Sequence, residues 1–315
     1  MWLEEYEKLL FSPDHTDEST LAATILKNNN IPALVYKYRV VNENSLRALK
    51  EGVLIAAAPR TLNDPNEVEL YLDIKKRWSE FYKEFLELFY RNTGLRLAIR
   101  VENYSDRDAF IKGLADCMGI YTHEFASFKY MWALSDTIIN ERLLQFQREI
   151  RSVGDIVYRI CSLSVNPNSR AMWAHYSDNY KGFCIAYNFK ELGTDLTDLL
   201  LPMRYKKDKL EVDDSFFGGG PVNNSFIIDA LTRKFTEWEY EEEWRLLLTA
   251  ISNEPIMKVN APIPKAVILG KDITIDNRDR LIRICKALSV PYMQQRFNDI
   301  SGDFEYIPVT LSRSS

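Results

Sequence analysis

Glycine and proline are scarce, at 12 each in 315 residues, and no G-x-G-x-x-G, Walker A or G-x-S-x-G pattern occurs. Rossmann and P-loop folds cradle phosphate on such loops, and α/β-hydrolases hold their nucleophile on such an elbow. None of the three is expected here. Cysteine and histidine are also sparse: Cys117, Cys161, Cys184 and Cys285, with His15, His123 and His175. No Cys-x-x-Cys pair or zinc-ligand spacing results, so no metal site is expected. Isolated cysteines suit a reducing compartment better than a disulfide framework. The longest apolar run, Val53 to Ala58, falls far short of the ~20 residues a membrane span needs. The stretch Met1-Trp2-Leu3-Glu4-Glu5-Tyr6-Glu7 is acidic where a signal peptide would be basic. A soluble cytoplasmic protein with no membrane partner is the expectation. Excess positive charge is missing too, with Lys plus Arg at 40 against Asp plus Glu at 45. That argues against a nucleic-acid binder held by bulk charge, while leaving room for a local basic patch.

What is abundant is core material. Hydrophobic residues make up 46% and aromatics 12%, which excludes a largely disordered chain. The length suits one large domain or two modest ones. Residues 1–30 read as a helical segment, with Ser19 or Thr20 as cap and Asn28-Asn29-Asn30 as its end. Residues 31–41 are aromatic and β-branched and predict a strand. Asn42 then caps a short helix that Gly52 ends, and Val53 to Ala58 predicts a second strand. Between 68 and 150 the apolar residues recur at helical spacing: Leu70, Ile74, Trp78, Phe81, Phe85 and Phe89. Gly94 stops that helix, and Ser105 with Asp108 predicts the start of the next. From Asp155 onward strands dominate, at 156–164, 182–189, 244–248 and 266–269. Helices are expected at 169–176, 226–235 and 278–288, a mobile loop at Gly218-Gly219-Gly220-Pro221, and strands near Tyr292 and Tyr306. The class is α+β: a mostly antiparallel sheet, formed by 31–67 and 151–315, with a helical insertion at 68–150.

Four polar clusters stand out. In Tyr36-Lys37-Tyr38-Arg39, alternation puts the two cations on one face and the tyrosines on the other. Two cations on one face suit a phosphate or carboxylate, or simply a solvated edge. Asn63-Asp64-Pro65 places polar side chains over a cleft or makes an Asx turn. In Met172-Trp173-Ala174-His175-Tyr176, His175 is a candidate acid, base or ligand contact, or a histidine holding a loop. In Trp238-Glu239-Tyr240-Glu241-Glu242-Glu243-Trp244-Arg245, most carboxylates read as solvated. Glu243 differs, because it opens an apolar strand and alternates with Arg245. A rigid strand can aim it into a site, or it can be a salt-bridge partner.

In order, Leu34–Arg39 with Asn44–Gly52, Leu62–Pro65, Cys161–Ser164, Met172–Tyr176 with Lys181–Ile185, Trp238–Arg245 and Ile268–Gly270 resemble an uncharacterised bacterial family, domain of unknown function 2971. More loosely, the strand with a polar residue between tyrosines, short helix, Gly, second strand and Asn-Asp-Pro resembles the start of ADP-ribosyltransferase-like folds. That resemblance implies NAD as substrate, no metal, and site residues on three strands. Lys37 stands where the first strand carries His or Arg, with Arg39 two residues on. Ser162 or Ser164 stands on the middle strand, and Glu243 on the late one. Tyr38, Trp173 and Tyr176 would offer aromatic surfaces, Asn63 and Asp64 polar contacts, and His175 and Glu243 the catalytic groups. The implied function is an NAD-dependent ADP-ribosyltransferase or NAD glycohydrolase of the toxin or phage-defence kind. A macromolecular target, protein or nucleic acid, would follow, with room for an inhibitory partner protein. Two alternatives stay open: a nuclease or other phosphodiester enzyme, and a non-catalytic ligand-sensing module.

Overall fold

The computed structural model describes residues 2–12, 14–64, 68–119, 125–192, 194–212, 216 and 224–309. The expected Gly218–Pro221 loop, Pro65 and His123 lie outside them. The chain forms two compact units. One is Met1–Glu67, Val153–Lys207 and Leu231–Ser315; the other is Val68–Ser152 and Asp208–Ala230. The opening helical segment thus falls within the first unit, and 208–230 within the second.

The first unit begins with α1 (Trp2–Phe11) and α2 (Asp17–Asn29). α2 starts earlier than the sequence suggests, because Thr16 and Ser19 cap each other's backbone N–H in a reciprocal box. Asp17 and Glu18 then sit in the first turn, where the helix dipole favours acids. β1 (Val35–Arg39) follows, then α3 (Glu43–Glu51) and β2 (Val53–Ala57). Asn42 accepts from Ser45 N at 2.8 Å and starts α3; Gly52, with φ of 65°, ends it.

The second unit holds β3 (Leu70–Tyr71), α4 (Ile74–Thr93), α5 (Arg107–Cys117) and most of α6 (Phe125–Val157). Asp106, not Ser105, caps α5, accepting from Ala109 N at 2.9 Å. α6 runs on to Val157, so the strand expected from Ile156 begins later, as β4 (Tyr158–Ser164).

Next come α7 (Arg170–Tyr176), β5 (Phe183–Tyr187), α8 (Thr194–Asp198), β6 (Leu200–Pro202) and β7 (Arg204–Lys206). After β8 (Leu210–Glu211), α9 (Asn224–Leu231) ends four residues sooner than its apolar pattern suggests. Residues 233–235 instead form β9 (Arg233–Phe235), paired parallel with β7. A 3-10 turn, Thr236–Glu241, leads into β10 (Glu243–Thr249). β11 (Ile256–Asn260), β12 (Ala266–Leu269), α10 (Ile275–Ala287), β13 (Tyr292–Phe297) and β14 (Phe304–Ile307) complete the chain.

The architecture is mixed α and β around a largely antiparallel open sheet. Its strand order is β11-β2-β4-β1-β5-β12-β13-β14, with β10 pairing β4 and β6. The β12–β13 pair is parallel. Residues opposite one another in antiparallel strands point to the same side. One face therefore carries Val35, Leu163, Ile185 and Leu246, packed with Leu46 and Leu49 of α3 and Leu281 and Ile282 of α10. The other face carries Tyr38, Cys184 and Ile268 under Met172 and Trp173 of α7. Burying such side chains, at ~25 cal/mol per Å² of apolar surface, makes each face a core of its own.

Candidate functional site

The second face opens into a cavity of about 230 Å³ in the first unit. Register builds its floor. Tyr36 of β1 and Glu243 of β10 both pair with Ser164 of β4, so all three point the same way. Arg245 pairs with Ser162 and joins them one step along. Tyr36, Lys37, Tyr38, Ser162, Ser164, Glu243 and Arg245 all line the cavity. Met172 and Tyr176 of α7 come from one side and Thr61, Leu62 and Asn63 from another; Lys234 and Glu241 complete the lining.

A chain of charged and polar groups runs through it. Asn63 Nδ2 donates to Tyr176 Oη at 2.6 Å, and Tyr176 Oη donates to Glu241 Oε1 at 2.5 Å. Lys234 Nζ bridges Glu241 Oε2 at 2.6 Å and Glu243 Oε2 at 3.1 Å. Arg245 Nε donates to Glu243 Oε1 at 2.9 Å, and its Nη1 to Leu231 O at 2.7 Å. Lys234 also lies 4.8 Å over the Trp238 ring. Burial by itself would raise the Glu243 pKa; Arg245 and Lys234 outweigh it and hold the carboxyl at about 2. Burial would likewise discharge Lys234, but Glu243 and Glu241 keep it above the ordinary lysine value. Burial, and then the bond to Glu241, push the Tyr176 hydroxyl up. This quartet is charge-balanced, and its carboxylates are buried at 3% and 4% exposure.

Several expectations change. Glu241 is not part of a solvated run. Glu242 takes the left-handed conformation, φ 43°, just before β10. Glu241 ends the 3-10 turn and Glu243 opens β10, and both are buried while Glu242 between them stays exposed. Lys37 and Arg39 do share a face, as alternation implies, but it is the face opposite Glu243. Lys37 is still among the lining residues, while its Nζ donates to Ser162 O at 2.6 Å. Arg39 does not line it, and neither does Asp64. His175 is exposed, its ring 6.4 Å from that of Tyr240, and does not reach the cavity either. Trp173 is fully buried beneath the site: it stacks on Tyr180, meets Tyr38 edge-on and donates to Pro167 O at 2.8 Å. Tyr36, Lys234, Glu241, Arg245 and Met172 are lining residues that the sequence patterns did not single out as site residues. For Tyr36 the signal was present, since the alternation that separates it from Lys37 also places it beside Tyr38.

Among the described residues no group of three or more His, Cys, Asp or Glu is placed to hold a metal ion. No described helix is long and apolar enough to cross a membrane.

Residues 172–246 match the family model of a protein of unknown function, DUF2971. The resemblance to that family therefore holds over the stretch that carries α7, β5, Lys234 and the Glu241–Arg245 segment. No curated protein and no solved structure matches the chain.

Proposed function

We propose that the cavity receives the nicotinamide–ribose end of NAD and that the chain is an ADP-ribosyltransferase-like enzyme. It would pass ADP-ribose to a macromolecular target or to water. The observation that carries this reading is the register of Tyr36, Ser164 and Glu243 on three neighbouring strands, all facing one cavity. The sequence resemblance calls for His or Arg on the first strand, a Ser on the middle strand and a Glu on the late one, and the last two are met by Ser164 and Glu243. Tyr36 takes the first-strand place that Lys37 was expected to hold.

The chemistry suits the groups. When the bond between ribose C1′ and the nicotinamide nitrogen breaks, its electron pair goes to the ring, and positive charge is left on the ribose. An oxygen lone pair of water or of a target group then closes on C1′, and its proton is released. Cleavage of this kind is helped by a fixed anion. Glu243 is ionised at any ordinary pH and is held rigidly by Arg245 and Lys234. Tyr36, Tyr38 and Tyr176 supply aromatic surface for the ring. A cavity of this size suits a ring and its sugar rather than a whole dinucleotide.

A second reading rests on the same pairing. Because two cations already balance Glu243, the site can be a binding module that orders a ligand without turning it over. NAD labelled in its nicotinamide separates the two. The enzyme reading expects release by the wild-type protein and a loss of ~10²–10³-fold in Glu243→Gln, assayed well below that variant's melting midpoint. Saturable NAD binding without release selects the module. Neither binding nor release by the wild type removes both.

A further inference from the structure

We infer that the Tyr36 hydroxyl selects the cavity's ligand, by donating a hydrogen bond to a carbonyl oxygen carried at the edge of a flat aromatic ring. This deepens the NAD reading and rests on it for the place of the ring. It holds for an enzyme and for a binding module alike.

Most hydroxyls that line the cavity already have a partner. Tyr38 Oη donates to Asn166 O at 2.6 Å, and Thr61 Oγ1 to Ala58 O at 2.7 Å. Tyr176 Oη donates to Glu241, and Ser164 Oγ accepts from Asn166 N at 3.1 Å. Ser162 helps to hold the Glu243 carboxyl ionised. The Tyr36 hydroxyl, by contrast, bonds no described residue. The strands explain its position. Tyr36 stands between Ser164 of β4 and Ala186 of β5, on the same side as Glu243. There it packs against the apolar cluster that holds Tyr38, Met172 and Cys184. The side chain is half-buried, yet its oxygen is not sealed off.

That combination sets what a ligand must bring. A phenol open to water loses its bond when a ring displaces the water, and only a ligand with an acceptor of its own restores it. A site with such a group rejects the analogue that lacks the acceptor. The ionic quartet of Lys234, Glu241, Glu243 and Arg245 pairs within itself and makes no such demand. Tyr38, Tyr176 and Met172 offer the surface a flat ring packs on. Burial holds the Tyr36 pKa above the ordinary tyrosine value, so the hydroxyl keeps its proton and donates.

Three probes share the N-methylpyridinium ring that mimics the NAD end. One bears the carboxamide of nicotinamide, one an acetyl group and one a methyl group. NMR titration gives the dissociation constant of each for wild type and for Tyr36→Phe. Wild type should hold the carboxamide and acetyl probes about tenfold more tightly than the methyl probe, the scale of one added hydrogen bond. Tyr36→Phe should lose that preference and bind the methyl probe as wild type does. The hydroxyl bonds nothing in the described fold, so the melting midpoint should not move, and a lost preference is then not a lost structure. Equal binding of the three probes by wild type, binding of none, or a preference that survives Tyr36→Phe overturns the inference. The labelled-NAD assay separates it from the enzyme reading. A carbonyl preference that depends on Tyr36, with no nicotinamide release, leaves this role standing and removes the enzyme. Release by Tyr36→Phe at the wild-type KM, with the preference intact, removes the role of Tyr36 alone.

Discussion

Glu241 and Glu243 share one lysine but do not hold equal stakes in the fold. Glu243 lies between Lys234 and Arg245, so Glu243→Gln leaves two buried cations short of one anion. Breaking a buried ion pair in this way costs about 3–5 kcal/mol. Glu241→Gln can still accept from Tyr176, and Lys234 keeps Glu243, so about 1–2 kcal/mol is expected. Urea unfolding should therefore rank wild type above Glu241→Gln, and Glu241→Gln above Glu243→Gln. Because Lys234 touches both carboxylates, the double variant should depart from the sum of the singles. A Glu243→Gln protein as stable as wild type would sink the buried-pair account. The acid limb follows from the same residue. Its folded pKa of about 2 lies below the ordinary 4.5, so its stabilisation is complete above about pH 4.5. It is lost as pH falls toward 2, and the gap between wild type and Glu243→Gln should narrow over that interval.

At the scale of elements, backbone approach decides more than side-chain pattern. After α7 the chain turns through three consecutive left-handed residues: Asp178 at φ 49°, Asn179 at 50° and Tyr180 at 67°. Such a run is rare for L-residues, and here the N–H groups at its end and just after it are bonded: Tyr180 to Trp173 O, Lys181 to Asp178 O, Gly182 to Ser177 O. The turn brings Gly182 hard against neighbouring backbone. A Cβ there would overlap Arg39 O and stand 2.8 Å from Ser177 O. Gly182→Ala should thus cost several kcal/mol and disturb β1 where it carries the site. Gly154, inside α6, is the opposite case, since a Cβ would meet Leu231 and Pro59 side chains no closer than 3.7 Å. Gly154→Ala should raise stability by about 0.5–1 kcal/mol from helix propensity. Melting curves of the two variants check both signs, and a shift in the same direction for both defeats the argument. The contrast also shows what the sequence could disclose. Asn42 and Gly52 announced α3 because capping is local chemistry. The turn at 178–180 and the reversal at Glu242 did not show, because ordinary side chains occupy left-handed positions there under tertiary constraint. The β9 strand was hidden for a related reason: its pairing with β7 overrides a local helical pattern.

For the molecule as a whole, the strand-rich class and the shared face of Tyr36 and Tyr38 were legible, because hydrophobic period and alternation are properties of short segments. The identity of the second wall was not. Lys234 and Glu241 reach the cavity through strand pairings and a 3-10 turn that no local pattern encodes, and His175 looked promising by composition yet faces out. Long-range placement also buries charges far from the site, and one of them gives the protein a testable alkaline response. Lys27 of α2 is about 1% exposed and donates to the last carbonyls of α8, Thr197 O at 2.5 Å and Asp198 O at 3.3 Å. Burial lowers its pKa to about 8, with Asp198 opposing only in part. The unfolded chain keeps that proton until about pH 10.5, whereas the native protein drops it near 8. Between those values the unfolded state binds more protons, so this residue makes stability rise with pH, by at most about 1.4 kcal/mol per pH unit. Other titrating groups contribute as well, and comparison with Lys27→Met cancels them. The unfolding free energy of wild type minus that of the variant should climb from pH 8 to pH 10. A difference that stays flat means the ammonium keeps its ordinary value, with the two carbonyls of α8 holding it charged in spite of burial.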